Sequence, residues 1–529
     1  MERLAGRIVL LWGWKRRAAA FAAGALAVLS QPPYDFFAAC FIAFPVLVWL
    51  LDGAAGDGGR SILSRIMPFF ATGWWFGFGY FLAGLWWIGR ALLVEADAHA
   101  WAMPFAVLGL PAVLALFFGL ACLLAIPFWR HDLGRIFALA FGFGVAEWLR
   151  AVAFTGFPWN PVGQAAMPVP VLMQSASVIG ILGMNPLAVY VFAAPALLAG
   201  RAWRETGLAL AFLLAIVHAG FGYWRLSRPE PADLAAVSVR LVQPSIDQAM
   251  KWNPETRNAI FETYLEMTRR KPDAGASAPQ LVIWPETSVP WLLTERPEVL
   301  SAIAGALQPG QVLLAGAVRA EGDVESPSAR FYNSITAING EGEIIGAADK
   351  MHLVPFGEYL PLSGLLSSLG LTQFVTAPGQ FTPAPGRRTL DLPGGMTALP
   401  LVCYEIIFPF EAGQAAGNPA NLIVNVTNDA WYGRTPGPWQ HFRQAQIRAV
   451  ELGLPLLRAA NNGISAYVDR KGRVIDALAL DSVANLDVKV PLRSVDGSGG
   501  NNLVNSAFAN MITFILAVVF AFLARIRPN

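Results

Sequence analysis

The sequence has few charged residues for its length. Asp, Glu, Lys and Arg make up 14% of its 529 residues, whereas hydrophobic residues make up 55% and the mean hydropathy is +0.47. Soluble domains carry about a quarter charged residues, so this composition excludes an ordinary soluble protein and indicates a membrane protein. The net charge is only +2. Without a clustered excess of basic residues, the chain has no surface suited to nucleic acid.

Cysteine is also scarce, with three residues in the whole chain. Cys40 and Cys122 lie inside apolar segments and Cys403 does not, so no two cysteines share a compartment. This arrangement excludes a disulfide framework and a cysteine metal site. Cys403 therefore needs an explanation of its own.

Long apolar runs are abundant. Charge-free stretches long enough to cross about 30 Å of hydrocarbon as a helix lie at residues 66–89, 104–128, 206–224 and 502–524. Shorter candidates lie at residues 18–34, 36–51, 136–154 and 182–200. We therefore predict an N-terminal transmembrane domain of about seven spans at residues 1–228 and a C-terminal transmembrane helix at 502–529. We interpret the first span as an uncleaved transmembrane helix rather than a signal peptide.

The basic residues alternate between loops. Every second loop carries Lys or Arg, and the loops at 31–35 and 94–100 carry none. Because short cytoplasmic loops hold the excess of Lys and Arg, this pattern predicts that both termini are cytoplasmic. The long insertion at residues 229–501 then lies on the outer side of the membrane.

Residues 229–501 have the pattern of a layered α/β domain. Charge returns there, and the apolar runs shorten to strand length with little polar alternation, as in strands covered on both faces. The predicted strands are 237–243, 280–286, 312–318, 333–338, 399–405, 421–429 and 464–469, and the predicted helices are 253–270 and 439–452. Functional residues of such folds gather where strands end.

Three residues of this domain are candidates for chemistry, and each also has a structural interpretation. Glu286 is either a loop residue that caps the next segment or a general base. Lys350 is either a solvated side chain or a buried cation that stabilises a thiolate or a developing oxyanion. Cys403 is either a small buried hydrophobe or a nucleophile that needs both a base and a cation. His352 and His441 are rival partners for Cys403, but we favour the Cys-Lys-Glu arrangement.

Longer motifs surround these residues. They are WPETSVP at 284–290, KMHLVPFGEYLP at 350–361, CYEIIFP at 403–409, NVTNDAWYGRTPGPWQH at 425–441, RAANNGISA at 458–466 and, among the spans, GFPWNPVG at 156–163. Together they resemble the nitrilase superfamily, and in particular its membrane-embedded apolipoprotein N-acyltransferase family. The resemblance implies a multi-span α-helical membrane bundle plus an extracytoplasmic α/β domain built as a nitrilase-like αββα sandwich.

The resemblance also implies roles for residues. Glu286 resembles the general base, Lys350 the residue that stabilises the tetrahedral intermediate, and Cys403 the nucleophile. Glu358 resembles a second essential carboxylate, and further positions that the family needs are matched by Trp252, Tyr404 and Glu405. The implied reaction moves an acyl chain from a phospholipid onto Cys403 as a thioester, and then onto the α-amino group of an apolipoprotein's diacylglyceryl-cysteine. No metal or cofactor is implied, and the implied location is the bacterial inner membrane with the catalytic domain in the periplasm.

A phospholipid donor fits this two-part architecture. Burial of each methylene is favourable by about 0.8 kcal/mol, so the donor stays in the bilayer and the site must reach the membrane. Residues 359–375 are uncharged and follow Glu358; we interpret them as a lid, with an ordinary covered loop as the alternative. The rival functions are a membrane-tethered nitrilase-type amidase, a transporter with an accessory domain, and a structural scaffold.

Overall fold

The computed structural model describes residues 1–55, 61–200, 203–229, 236–251, 253–272, 277–326, 328–368, 380–412, 415, 417–493, 515–516 and 518–525. The chain divides into two compact units. The first contains Met1–Gly89, Trp101–Pro229 and Leu503–Asn529, and the second contains Arg90–Ala100 and Glu230–Asn502.

The first unit is α-helical. Its helices are α1 (Glu2–Val9), α2 (Gly13–Ala27), α3 (Cys40–Ala55), α4 (Ile62–Leu85), α6 (Leu110–Ala125), α7 (Gly134–Val152), α8 (Pro170–Met173), α9 (Ala176–Ala193) and α10 (Arg204–Ser227), and the short α5 (Ala96–His99) groups with the second unit. Within the described residues, five helical stretches are long and apolar enough to cross a membrane: Phe37–Ala55, Ile62–Leu93, Ala96–Phe128, Ala176–Ala199 and Arg204–Ser227.

Three of the eight predicted spans are not among these five stretches. The span at 18–34 coincides with α2, which is 15 residues long. The span at 136–154 coincides with α7, a 19-residue helix that carries Arg135, Glu147 and Arg150. These charges are buried as ion pairs, since Arg135 contacts Asp52 at 2.6 Å and Arg150 contacts Glu147 at 2.5 Å. Most of the span at 502–524 lies outside the described residues, so the count of eight spans stays a prediction.

The second unit contains two six-stranded sheets. The first has the order β12-β1-β2-β3-β4-β5, formed by Val237–Gln243 (β1), Leu281–Ile283 (β2), Val312–Glu321 (β3), Arg330–Asn339 (β4), Ile344–Asp349 (β5) and Ala484–Val490 (β12). The second has the order β11-β10-β9-β8-β7-β6, formed by Leu390–Leu392 (β6), Met396–Val402 (β7), Leu422–Thr427 (β8), Leu456–Ala460 (β9), Ala466–Val468 (β10) and Val474–Ala477 (β11). In each sheet three central strands are parallel, β1-β2-β3 and β7-β8-β9.

The sheets pack face to face, with helices outside. One apolar cluster joins the inner faces, with Leu241, Ile283 and Leu314 from the first sheet and Val424 and Leu457 from the second. A second cluster joins the outer face of the first sheet to the helices α11 (Arg257–Arg269) and α12 (Pro297–Ala304). The described chain also contains α13 (Ser363–Ser368), α14 (Pro409–Ala412) and the largely buried α15 (Pro436–Leu452), which packs on β9 of the second sheet. The predicted fold class, an α-helical membrane bundle with a nitrilase-like αββα sandwich, is confirmed.

Some element boundaries were predicted wrongly. The predicted strand 399–405 ends at Val402, and a 3₁₀ turn over Cys403–Ile407 follows it. The predicted strand 280–286 is shorter at both ends, so Glu286 lies in the loop after β2. Both errors move a candidate residue from a strand into the loop that follows. Residues 369–375 of the predicted lid at 359–375, including Leu369, lie outside the described residues, as do the side chains of Leu365 and Leu366, so the lid stays a prediction.

Candidate active site

Glu286 lies in the loop directly after β2, where the backbone passes very close to β3. A Cβ at Gly316 of β3 would lie 2.4 Å from the main-chain oxygen of Pro285 and 2.6 Å from the Cα of Glu286. Only glycine permits this approach. The Glu286 loop is further fixed by the main-chain hydrogen bond from Ser288 N to Gly316 O, at 2.7 Å. The glycine therefore sets the depth at which the Glu286 carboxylate is buried.

Glu286, Glu358 and Lys350 form one buried cluster. The Nζ atom of Lys350, a residue that follows β5 and is 1% exposed, lies 2.8 Å from Glu358 Oε2 and 3.8 Å from Glu286 Oε1. Asn333 of β4 joins the carboxylates, because its Nδ2 donates to Glu286 Oε1 at 2.8 Å and to Glu358 Oε1 at 2.9 Å. The second oxygen of Glu358 accepts from Val354 N at 2.7 Å. Two carboxylates thus share one ammonium and one amide.

These carboxylates keep Lys350 charged. Burial on its own lowers the pKa of Lys350, but the negative charges of Glu358 and Glu286 outweigh it and raise that pKa above its ordinary value. The raised pKa therefore favours the charged ammonium around neutral pH. Such a charge, placed before the reaction begins, can stabilise an oxyanion without reorganisation.

Cys403 stands at a sharp turn at the end of β7. Its φ of +51° is in the left-handed region that a residue with a Cβ rarely adopts. The side chain is 7% exposed, and its Sγ accepts a hydrogen bond from Thr427 Oγ1 at 3.3 Å. Strained backbone at a buried cysteine is typical of functional positions, where the surrounding structure enforces an unusual direction for the side chain.

The thiol of Cys403 is neutral at rest. Burial, followed by the negative charge of Glu286, raises the pKa of Cys403 well above its usual range, and Lys350 opposes this rise only in part. The expected thiolate held by a nearby ammonium is therefore not the resting state. A buried thiol of this kind can attack only if a base removes its proton, and Lys350 would then be available for an oxyanion.

Glu405 and Tyr404 lie beside this cluster and serve other contacts. Glu405 pairs with Arg387 at 2.8 Å and accepts hydrogen bonds from the main-chain nitrogens of Met351 at 2.8 Å and Val402 at 2.7 Å. It therefore ties the loop that carries Lys350 to the turn that carries Cys403. Tyr404 packs edge-on against Phe408, with ring centroids 5.0 Å apart. Trp252 lies outside the described residues.

The two histidines contact other groups of this region. His441 Nε2 lies 3.1 Å from the main-chain oxygen of Cys403, and its Nδ1 lies 2.8 Å from Asp429 Oδ1. His352 contacts Glu411 at 2.6 Å and stacks on Phe408. The hydrogen bond of His441 to the Cys403 carbonyl supports the turn rather than the sulfur, and the Cys-Lys-Glu arrangement stays a prediction.

Two polar residues escaped the sequence analysis. Asn333 begins NSITAI, which was predicted only as a strand, and no neighbouring residue indicates a function for its amide. Lys251 is 1% exposed, and its Nζ donates to the main-chain oxygen of Glu286 at 2.7 Å. Both contacts join distant parts of the chain, so no local sequence pattern could have revealed them. Among the residues that the structure describes, no group of three or more His, Cys, Asp or Glu could hold a metal ion.

Sequence comparisons cover both units. The carbon-nitrogen hydrolase family model matches residues 238–495, and the model of the apolipoprotein N-acyltransferase N-terminal domain matches residues 23–194. An apolipoprotein N-acyltransferase of Brucella suis is 57% identical over 494 residues, which are 93% of this chain and 92% of that protein. One of Rhizobium etli is 52% identical over 530 residues, covering 99% and 98% of the two chains.

Solved structures match about half of the chain at low identity. An amidase of the nitrilase superfamily from Nesterenkonia is 19% identical, with a TM-score of 0.35, and covers 50% of this chain and 92% of its own. A carbon-nitrogen hydrolase from Helicobacter pylori is 16% identical, with a TM-score of 0.36, and covers 55% and 96% of the two chains.

Proposed function

Because this chain belongs to the apolipoprotein N-acyltransferase family, a group of membrane-embedded acyltransferases that modify lipoproteins, we propose that Cys403 carries the acyl chain between donor and acceptor. The donor is a membrane phospholipid. The acceptor is the α-amino group of the diacylglyceryl-cysteine that begins an apolipoprotein. The main support is the buried cluster of Glu286, Asn333, Glu358 and Lys350, which acts electrostatically on the Cys403 thiol.

In the first half-reaction, Sγ of Cys403 attacks an ester carbonyl of the phospholipid while Glu286 takes the thiol proton. The carbonyl oxygen becomes an oxyanion beside the Lys350 ammonium. The carbon-oxygen bond of the ester then breaks, and Glu286 returns the proton to the departing alkoxide, which leaves as the hydroxyl of a lysophospholipid. The product is a thioester on Cys403, and Glu286, having given the proton to the leaving group, is again a carboxylate.

In the second half-reaction, the neutral α-amine attacks the thioester carbonyl. Glu286 accepts one N–H proton, the carbon-sulfur bond breaks, and the proton passes to the sulfur. The products are an amide and the free thiol of Cys403. Because the two substrates use the same carboxylate and the same sulfur in turn, the kinetics are ping-pong.

Glu358 and Asn333 act on this chemistry through other groups. Glu358 holds the Lys350 ammonium, and Asn333 holds both carboxylates at fixed distances. Glu405 joins the loop of Lys350 to the turn of Cys403 by accepting main-chain hydrogen bonds from both. Trp252 and Tyr404 complete the residues proposed to support the site.

The location is part of the proposal. The chain is a membrane protein with apolar helices. Because basic loops alternate with loops that lack Lys and Arg, we place both termini in the cytoplasm and the catalytic unit in the periplasm of a bacterial inner membrane.

Transfer to an amine is tested with purified enzyme, phospholipid vesicles and a synthetic diacylated lipopeptide with a free α-amine. We expect the lipopeptide to gain one fatty acyl group as an amide, with an equal amount of lysophospholipid. A matched lipopeptide with an acetylated α-amine is the control and should gain nothing. Ammonia released from carboxamides, with no acylated lipopeptide, would instead support the amidase alternative.

A further inference from the structure

A second lysine lies at the same site and has no part in the reaction as described. Lys251 follows the short 3₁₀ turn Gln248–Met250 and is 1% exposed. Its Nζ donates to the main-chain oxygen of Glu286 at 2.7 Å. An ammonium is costly to bury unless it is paired, and a carbonyl oxygen supplies no negative charge. The charges that compensate Lys251 must therefore come from groups farther away.

Those groups are the ones that react. The negative charges that act on Lys251 are those of Glu286 and, when ionised, Cys403. Lys350 lies 3.8 Å from Glu286 and 2.8 Å from Glu358, and the negative charge of Asp429 acts on Cys403. The charged side chain of Lys251 thus interacts favourably with both the Glu286 carboxylate and an ionised Cys403.

The pKa values of the two lysines are shifted in opposite directions. Burial lowers the pKa of Lys251 to about 8, against the opposing effect of Glu286 and Cys403. Lys350, paired with two carboxylates, has a raised pKa. Lys350 is therefore a permanent cation, whereas Lys251 loses its charge just above neutral pH.

We propose that Lys251 is a positioning residue for Glu286, which fixes the backbone of the base through its hydrogen bond and favours ionisation of Cys403 through its charge. This inference depends on the proposed function only for the roles of Glu286 and Cys403. A lysine that merely filled space would require neither the charge nor the donor.

Three variants of the full-length enzyme separate charge from hydrogen bonding. Lys251→Arg keeps both the charge and a donor, and the guanidinium stays charged at every relevant pH. Lys251→Gln keeps a donor without the charge, and Lys251→Met keeps neither. Melting temperatures in detergent identify any variant that fails to fold, so that its kinetics are set aside in favour of the other two.

The first readout is alkylation of Cys403 by iodoacetamide, followed by mass spectrometry between pH 6.5 and 10. At pH 7 we expect Lys251→Gln to react about tenfold more slowly than wild type, since loss of about 1.4 kcal/mol of charge stabilisation is tenfold in rate. Lys251→Arg should react like wild type at pH 7. Above pH 8, where wild-type Lys251 loses its proton, Lys251→Arg should react faster than wild type.

The second readout is formation of the Cys403 thioester from phospholipid. The rate should decline above about pH 8 in wild type, and this decline should move by a unit or more to higher pH in Lys251→Arg. Identical pH profiles for wild type and Lys251→Arg, or a Lys251→Gln enzyme within twofold of wild type at pH 7, would overturn the inference. Alkylation needs no phospholipid, so a wild type that alkylates as expected but never forms a thioester would contradict the proposed function and leave the inference standing.

Discussion

Neighbouring charges set the protonation states of the side chains in the buried cluster. Lys350 is held charged by two carboxylates, and Cys403 is held neutral by burial and by Glu286. A neutral thiol is a poor target for oxidants, because the thiolate is the reactive species. In the proposed mechanism, the same arrangement makes the enzyme depend on Glu286 as the base at the moment of attack.

Glu286→Gln tests this dependence. We expect thioester formation from phospholipid to fall by at least about a hundredfold, the usual contribution of a general base. Alkylation of Cys403 by iodoacetamide above pH 9 should instead be as fast as in wild type or faster, because the substitution removes a negative charge that raises the pKa of the thiol. Parallel loss of both reactions would contradict the assignment of Glu286 as the base and indicate a disrupted site.

Asn333 provides a second test among single side chains. Asn333→Ala removes the amide that donates to both Glu286 and Glu358. We expect thioester formation to fall by about 10²-fold, because a small displacement of catalytic groups has effects of that size. Asn339→Ala, at the far end of the same strand, is the matched control and should stay within about twofold of wild type. Equal effects of the two substitutions would exclude a role for Asn333 in the carboxylate cluster.

The elements show what a sequence can and cannot predict here. β1 was predicted to the residue, because its apolar run is buried along its whole length. The pattern of apolar residues did not reveal β11, whose residues are all exposed, or β9, whose run is only five residues long. Glu286, Lys350 and Cys403 could be singled out because each follows a strand. Asn333 and Lys251 could not, since their contacts depend on pairing between strands distant in sequence.

The close approach of β3 to the Glu286 loop leads to a prediction about one glycine. Gly316→Ala places a Cβ within 2.6 Å of the Glu286 backbone, so that loop must shift. We expect a loss of about 1–3 kcal/mol in the free energy of unfolding, as for other overpacked sites, and a larger than tenfold loss of thioester formation.

Gly346→Ala of β5 is the matched control for this substitution. Its added Cβ would meet only Leu390 Cδ2, at an ordinary contact distance of 3.5 Å. Thermal unfolding and thioester formation should both stay close to wild type. A Gly316→Ala enzyme that is equally stable and active would show that the loop tolerates a different depth for Glu286.

Taken as a whole, the molecule combines a hydrolase-like unit with a helical membrane unit. The proposed function accounts for this combination, because a phospholipid donor with two acyl tails would remain in the bilayer and the proposed nucleophile would have to reach it there. The composition predicted a membrane protein, and the motifs predicted the acyltransferase family. The number of spans could not be derived from hydropathy, because α2 is short and α7 buries paired charges within its length.

The orientation of the whole chain is tested by labelling in intact cells. A membrane-impermeant maleimide should label Asp323→Cys, which lies in an exposed loop of the second unit. It should label His131→Cys, whose side chain is 70% exposed, only after the inner membrane is permeabilised. The three native cysteines are buried and provide a low background. The reverse labelling pattern would place the catalytic unit in the cytoplasm and contradict the proposed topology.

The intact mass of the purified full-length protein, taken after incubation with phospholipid vesicles, tests the role of Cys403 most directly. We expect a mass increase equal to one fatty acyl group, which hydroxylamine removes and which Cys403→Ala lacks. An acyl adduct that persists in Cys403→Ala, or a transfer-competent enzyme that never carries one, would show that another group receives the acyl chain.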